Sequence, residues 1–414
     1  MSTTTANALP PATLRQDAGV IGLVGLAHMV SHFSQLLLPP LFPWLKDAFH
    51  ASYTELGFLM TVFFVVSCAV QAASGFLVDH WGPRPVLFVG LALIGSAAFG
   101  FAFSPDYFSM ACCAVVAGVG NGVFHPVDYT LLNRKVSPPR LGHAYSVHGI
   151  TGSLGWALAP AVVVPLAIAF SWRVALMGAG TIAFTVLVIL LFNRRSLTLP
   201  LAAPKAATSV KAEHSMAFLK VPAVWMCFGF FFFYAIVLSV IQAFAPEAAR
   251  RLHDVPVAWA AMCLTVYMVC SAGGMVFGGF LASNPDRCER IVGAGFGMAA
   301  LVALLIGLAP VPAFAVPLLF GAMGLASGIA GPSRDLLVKK STPENASGRV
   351  YGVVYAGLDI GQAIAPLVFG TLMDHQQYRG VWLGLVFMQA VLITSAFNVR
   401  RVRRTPFTAQ PAHP

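Results

Sequence analysis

Gly, Pro and charged residues punctuate the chain into twelve apolar runs, near 18–42, 55–78, 86–104, 108–132, 143–169, 173–192, 222–245, 257–281, 291–309, 313–337, 349–370 and 380–398. Each has about the 20 mostly apolar residues that a helix needs to cross a bilayer. Between the sixth and seventh runs, Asn193 to Lys220 carries Ala, Pro and Lys without apolar periodicity and reads as a solvated linker. The pattern therefore predicts an all-α membrane protein: a six-helix half over 1–192, a cytoplasmic linker over 193–220 and a second six-helix half over 221–414.

The halves are written in similar letters. Gly118 to Pro160 recurs without a gap 206 residues later, as Gly324 to Pro366. Gly118, Gly122, Pro126, Leu131, Gly142, Tyr145, Gly155, Ala157 and Pro160 meet the same residue types at Gly324, Gly328, Pro332, Leu337, Gly348, Tyr351, Gly361, Ala363 and Pro366. An intensely apolar unit present twice is how two-halved transporters are built. The copies disagree at polar positions: His125 meets Gly331, Asp128 meets Arg334, His148 meets Val354 and Ser153 meets Asp359. Those mismatches are where each half is expected to have its own task.

Composition supports the membrane reading. Of 414 residues, 58% are hydrophobic and 10% charged, and the mean hydropathy is +0.78, too apolar for a surface facing water on all sides. The first 17 residues are polar and show no cleavable leader, so the first membrane helix is expected to act as the targeting signal. The net charge of +10 comes from basic residues in short loops. Twenty of the 25 Lys and Arg fall at the termini or in even-numbered loops. By the positive-inside rule this places both termini in the cytoplasm and the chain in the inner membrane, and it removes any need to invoke nucleic acid. The cysteines inside apolar runs show no C-x-x-C pair and no Cys/His ligand spacing, so they read as small hydrophobes.

After the second run comes Gly75-Phe-Leu-Val-Asp79-His80-Trp-Gly82-Pro-Arg84, which resembles the cytoplasmic loop signature G-x-x-x-D-[RK]-x-G-[RK]-[RK] of the major facilitator superfamily. The resemblance implies the fold of that family, with this loop latching the two halves. Gly75 would allow close helix packing, Gly82 a tight turn, and Asp79 and Arg84 would meet opposite charges or helix ends. His80 and Pro83 depart from the signature, and the corresponding second-half loop, Gly279 to Ser283, keeps the glycine without the acid. Val123-Phe124-His125-Pro126, Arg140 to Ser146, and Gly149, Gly152, Gly155 and Pro160 resemble the fosmidomycin-resistance-type branch of that superfamily, whose members are regarded as drug or small-solute exporters. That branch places an Asp four residues after the first-helix His, whereas His28 is followed by His32 here. The arginine of many drug/proton antiporters is replaced by Ala114.

Spacing then selects candidate site residues. His28, His32 and Gln35 share one helix face, as do Asn121, His125 and Asp128, and again Tyr355, Asp359 and Gln362. In hydrocarbon such a stripe must face protein or water. Tyr145 and His148 join from the fifth run, and Tyr234 and Gln242 from the seventh. Together they predict a shared central cavity and proton pathway. Asp359 sits about ten residues into its run, where an unpaired carboxylate costs about 3 kcal/mol or more. It is read either as a proton-coupling acid or as a fixed hydrogen-bonding group. His28 and His32, at i and i+4, can also chelate a metal, but no nearby acid or Cys completes a ligand set, so no metal is expected. His125 and Asp128 are read as a capping or gating pair or as substrate contacts, and Arg334 with Asp335 as a cytoplasmic charge cluster.

The function expected is a secondary transporter of a small organic solute, with proton entry driving export by alternating access. Its partners would be the solute, protons and the lipid bilayer; no cofactor is expected, and the chain is expected to be a monomer. A nucleotide-binding G-x-x-x-x-G-K-[ST] loop does not occur in the sequence, which points to an ion gradient as the energy source. The alternatives are a proton-linked importer of an organic anion or nutrient and, more remotely, a membrane enzyme or sensor. No Ser/His/Asp or H-E-x-x-H pattern supports catalysis. The residue inventory fits neutral, zwitterionic or cationic solutes better than multiply charged anions.

Overall fold

The computed structural model describes residues 13–199, 222–281, 287–341 and 348–404, without the side chains of 223, 335–341, 348–355 and 398–404. Fifteen α-helices lie among the described residues. In the first half they are α1 (Leu14–Gln35), α2 (Phe42–Phe49), α3 (Tyr53–Trp81), α4 (Pro83–Phe103), α5 (Tyr107–Asn121), α6 (Phe124–Lys135), α7 (Leu141–Ala169) and α8 (Trp172–Phe192). In the second they are α9 (Pro222–Ala243), α10 (Ala245–His253), α11 (Val257–Leu281), α12 (Cys288–Leu308), α13 (Ala315–Ser341), α14 (Gly348–Asp374) and α15 (Tyr378–Arg404). Twelve spans are long and apolar enough to cross a membrane, each overlapping one of the predicted runs.

Local chemistry sets the ends of these helices. Thr13 with Gln16, and Ser52 with Glu55, form capping boxes at the starts of α1 and α3. Pro39, Pro40 and Pro43 follow the end of α1 as expected, but the span then resumes as the short helix α2. Helix α2 ends at His50, with φ 50°, and its counterpart α10 ends at Asp254, with φ 51°. The fourth span is also in two pieces, with α5 ending at Asn121 and α6 starting at Phe124.

The repeated glycines are close-approach points. A Cβ on Gly118 or Gly122 would lie 2.6 and 2.5 Å from the Phe63 and Ser67 carbonyl oxygens of α3. On Gly324 or Gly328 it would lie 2.2 and 2.1 Å from those of Tyr267 and Ser271 in α11. The duplicated letters thus preserve one backbone-to-backbone contact in each half, the small-residue packing of membrane helices.

An even number of spans puts the start of α1 and the end of α15 at one end of the bundle, the near end. Toward the far end a single buried apolar cluster joins the halves, running from Leu36, Leu56 and Phe64 to Val240, Phe244 and Trp382. Toward the near end each half has its own cluster, one around Val86, Phe124 and Leu190 and the other around Val224, Phe230 and Phe296.

Hydrogen bonds between the halves follow the same division. Antiparallel α3 and α14 are joined by Thr54 and Asp374 (2.6 Å), Thr61 Oγ1 and the Ala363 carbonyl (2.6 Å), and Gln71 and Asp359 (3.2 Å). On the opposite side of the interface, Thr265 Oγ1 of α11 donates to the Ala157 carbonyl of α7 at 3.1 Å. Ala157 and Ala363 are repeat partners, each three residues before the proline inside its helix, in the turn whose backbone bonding that proline interrupts. In this conformation the bundle is closed at its far end.

Candidate functional site

Three spans bring four histidines and one carboxylate together inside the first half. Because α1 presents His28 and His32 on one face, and α6 and α7 present His125, Asp128 and His148, the stripes read from spacing converge. Asp128 is wholly buried, and its Oδ2 accepts from His28 Nδ1 and His148 Nε2, each at 3.1 Å. The rings of His28 and His148 stack at 3.6 Å, and those of His28 and His32 lie 4.3 Å apart. Gly152 and Gly155 make room for this: a Cβ on Gly152 would fall 3.0 Å from His28 Nε2 and 2.9 Å from His32 Nδ1, and one on Gly155 would strike the Met29 carbonyl at 2.3 Å.

A second polar net adjoins it on the far-end side. The Asn121 side-chain oxygen accepts from Ser31 Oγ (2.8 Å) and Gln35 Nε2 (3.2 Å), and its amide donates to Ser67 Oγ (2.8 Å). Trp156 Nε1 donates to Gln35 Oε1 at 2.9 Å. Asn121 is the last residue of α5, so the break before α6 coincides with a side chain tied to both α1 and α3.

Gln71 carries this polar core across to the second half. Its amide nitrogen donates to Asp359 Oδ2 at 3.2 Å, and its oxygen lies 3.1 Å from His125 Nδ1. Sequence reasoning missed Gln71, although a lone amide inside the apolar run of α3 was the available signal. Asp359 is half-buried, and the Cys68 thiol lies beside it.

Other candidates lie apart from this cluster. Tyr234 has the Arg334 guanidinium over its ring at 4.3 Å, which gives Arg334 a partner in α9. Gln242 is buried near the far end, where it lines a cavity of about 50 Å³ with Pro160, Glu247 and Arg250. Gln362 is buried, with its side-chain oxygen unpartnered. The side chains of Tyr355 and Asp335, and residues 200–220 of the linker, lie outside the described residues. The single shared cavity expected from the sequence is thus resolved into a histidine cluster within one half, the Gln71 and Asp359 bridge, and a separate far-end pocket around Gln242.

The near-end motif is present with its turn. Gly82 has φ +80°, which only glycine adopts freely. Arg84 donates to Thr198 Oγ1 at 2.7 Å, at the start of the linker just beyond α8. Asp79 is exposed, Gly75 has no neighbour in reach of a Cβ, and among the described residues no hydrogen bond joins Asp79 to the second half.

Several anchors were not legible beforehand. Asp374, at the end of α14, accepts from the Tyr53 and Thr54 amides at 2.6 and 2.9 Å and so caps α3 across the interface. Glu247 accepts from Tyr53 Oη (3.1 Å), Arg250 (2.6 Å) and Arg251 (2.8 Å). Its hydrogen bonds hold both guanidinium groups above the usual arginine range. At the near end the buried Asp17 accepts from Arg140 Nε at 2.7 Å and from the Ser137 hydroxyl.

The Major Facilitator Superfamily family model matches residues 24–366 and 257–413. The chain belongs to the Major Facilitator Superfamily. It is a multi-pass membrane transporter of small molecules. The chain is 26% identical over 377 residues to the MFS-type transporter YfnC of Bacillus subtilis, covering 89% of this chain and 90% of that one. It is 25% identical to the fosmidomycin resistance protein of Escherichia coli over 177 residues, 43% and 42% of the two chains. It is 22% identical to the hexuronate transporter of Bacillus subtilis over 95% and 96%. Among solved structures, an inward-facing, unoccupied bacterial homologue of the human lysosomal transporter Spinster superposes with a TM-score of 0.76. The identity there is 16%, over 94% of this chain and 98% of that one. A point mutant of the nucleoside transporter NupG superposes with a TM-score of 0.71 at 15% identity, over 93% and 99%.

Proposed function

We propose that this transporter exports a small organic solute in exchange for protons, by rocking its halves about the interface that α3, α7, α11 and α14 form. The observation that carries the reading is the bridge from His125 through Gln71 to Asp359. Among the described residues it is where a membrane-embedded carboxylate of one half meets the titratable cluster of the other. Rocking that separates α3 from α14 removes the Gln71 amide from Asp359 and changes the stability of its charge, which couples conformation to protonation. The Lys and Arg bias supports an inner-membrane location with both termini in the cytoplasm. In that orientation the conformation described here is closed to the outside, and the Asp79 and Arg84 motif latches the near end in the opposite state.

Likeness to the fosmidomycin resistance protein favours export. Likeness to the hexuronate transporter favours a second reading, proton-linked import of an organic anion. The polar inventory favours neutral, zwitterionic or cationic solutes.

The test begins with a thermal-shift screen of metabolites and antibiotics on the purified protein, followed by transport of the hits in everted vesicles under an imposed pH gradient. Export by exchange predicts accumulation inside everted vesicles that are acid inside. In Asp359→Asn, uphill transport is lost while solute exchange survives. Uphill transport unchanged in Asp359→Asn removes that residue from the coupling role, and uptake indifferent to the gradient rules out proton coupling.

A further inference from the structure

The histidine cluster has a property that its part in the polar core leaves unexplained. A carboxylate accepts hydrogen bonds, so Gln71 must turn its amide nitrogen to Asp359 and its oxygen to His125. His125 Nδ1 then carries the hydrogen, which leaves Nε2 with its lone pair. Asp128 likewise takes a hydrogen from His28 Nδ1, leaving His28 Nε2 with its lone pair. His32 is 8% exposed, no side chain hydrogen-bonds either of its ring nitrogens, and the nearest backbone group is that of Gly152. Its ring rests against Gly152, the residue whose missing side chain opens a gap between His28 Nε2 and His32 Nδ1.

A buried imidazole whose nitrogens meet no side-chain partner favours a ligand that satisfies them. His28 Nε2 and His32 Nδ1 border the same gap at Gly152, and imidazole nitrogens converging on one space favour a positive charge there. One ligand atom from each of His28, His32 and His125 lies within 4.8 Å of the other two. In a tetrahedral site with metal–nitrogen bonds of about 2.0–2.1 Å, ligand nitrogens stand roughly 3.3 Å apart, so closing on a cation needs side-chain movements of only an ångström or so.

We propose that His28, His32 and His125 form a binding site for a divalent transition cation of the Zn²⁺ class, with Asp128 and Gln71 as the outer partners that fix the ring tautomers. Three imidazole nitrogens select Zn²⁺, Ni²⁺ or Cu²⁺ over the oxygen-seeking Mg²⁺ and Ca²⁺. Carboxylate or amide groups bonded to the far nitrogen of a ligating histidine are the usual support of such sites. His125 is the least buried of the three and borders the half interface through Gln71. The third ligand comes from a helix about 90 residues away in sequence, which is why local spacing around His28 and His32 argued against a metal.

The experiment uses the full-length protein, free of any histidine tag, stripped with chelator in detergent and titrated with Zn²⁺ alone by calorimetry, with metal content measured after gel filtration. The expected result is one retained equivalent. His32→Ala and His125→Ala are each expected to weaken binding at least 100-fold, while His50→Ala and His80→Ala, at exposed positions, leave it within threefold. Fewer than half an equivalent retained by the unsubstituted chain overturns the proposal, as does undiminished affinity in His32→Ala and His125→Ala. Should those variants aggregate, X-ray absorption of the Zn²⁺-loaded unsubstituted chain decides: three imidazole ligands are expected, and thiolate or all-oxygen coordination overturns the site.

Discussion

Asp374→Ala perturbs the far-end closure at a point where the cost can be worked out. The carboxylate accepts two backbone amides of α3 and the Thr54 hydroxyl, at 2.6, 2.9 and 2.6 Å. At a net value of about 1 kcal/mol per bond, and with Ser52 still capping the helix, the loss is about 3 kcal/mol. All of it falls on the closed state, because the donors belong to one half and the acceptor to the other. At 1.4 kcal/mol per tenfold, that is roughly a 100-fold change in the ratio of closed to open. A population closed at about 99% would fall to about half. Spin labels at Asp47→Cys and Asp254→Cys, both exposed and one in each half, report the far-end separation in a background with the natural cysteines replaced. Pulsed electron resonance should show a new long-distance component in Asp374→Ala and a smaller one in Asp374→Asn. A distance distribution that shifts by less than a threefold change in population refutes the reasoning that Asp374 holds the far end shut.

Three further outcomes follow from the same structure. Thr61→Val and Thr265→Val each remove one cross-half bond and should each shift the same distance distribution by about 1 kcal/mol; a shift in only one of them contradicts their equivalence. Gly328→Ala drives a Cβ to 2.1 Å from the Ser271 carbonyl, whereas one on Gly229 meets nothing within 4 Å. The first should lower the thermal unfolding temperature in detergent by an overpacking cost of about 1–3 kcal/mol or more, and the second should leave it unchanged. Asp128→Ala strands His28 and His148 and should destabilise by about 1–3 kcal/mol per stranded group, with Asp128→Asn milder in the same melt.

Span number, span position and the two-half plan were legible because a lipid-crossing helix must keep its length and apolarity. The duplicated glycines and prolines were equally legible, and the structure supplies their physical reason in the contacts of Gly118, Gly122, Gly324 and Gly328. Of the stripes read from spacing, His28 with His32 and His125 with Asp128 each lie within one helix, whereas Asn121 ends α5 and is parted from His125 by the break before α6. Which stripe meets which was not legible, because it depends on how α1, α3, α6 and α7 pack. Gln71 shows this: with only Ser67 and Ser74 for polar company on its face, it gained meaning when α14 placed Asp359 beside it. Asp374 and Glu247 went unremarked in the sequence because their partner, Tyr53, lies 321 and 194 residues away. Gln242 shares the polarity of the cluster but lies by the far-end pocket, a difference in depth that residue type does not encode.

The central claim is that movement of the solute and of protons is one process passing through Asp359. The most direct measurement is proton flux into proteoliposomes loaded with a pH-sensitive dye, with a solute found by the binding screen supplied on one side only. The account predicts a solute-dependent pH change in the unsubstituted protein and none in Asp359→Asn, although the variant still exchanges labelled solute. A solute-dependent pH change of the same size in Asp359→Asn, or solute flux without any pH change in the unsubstituted protein, would contradict it.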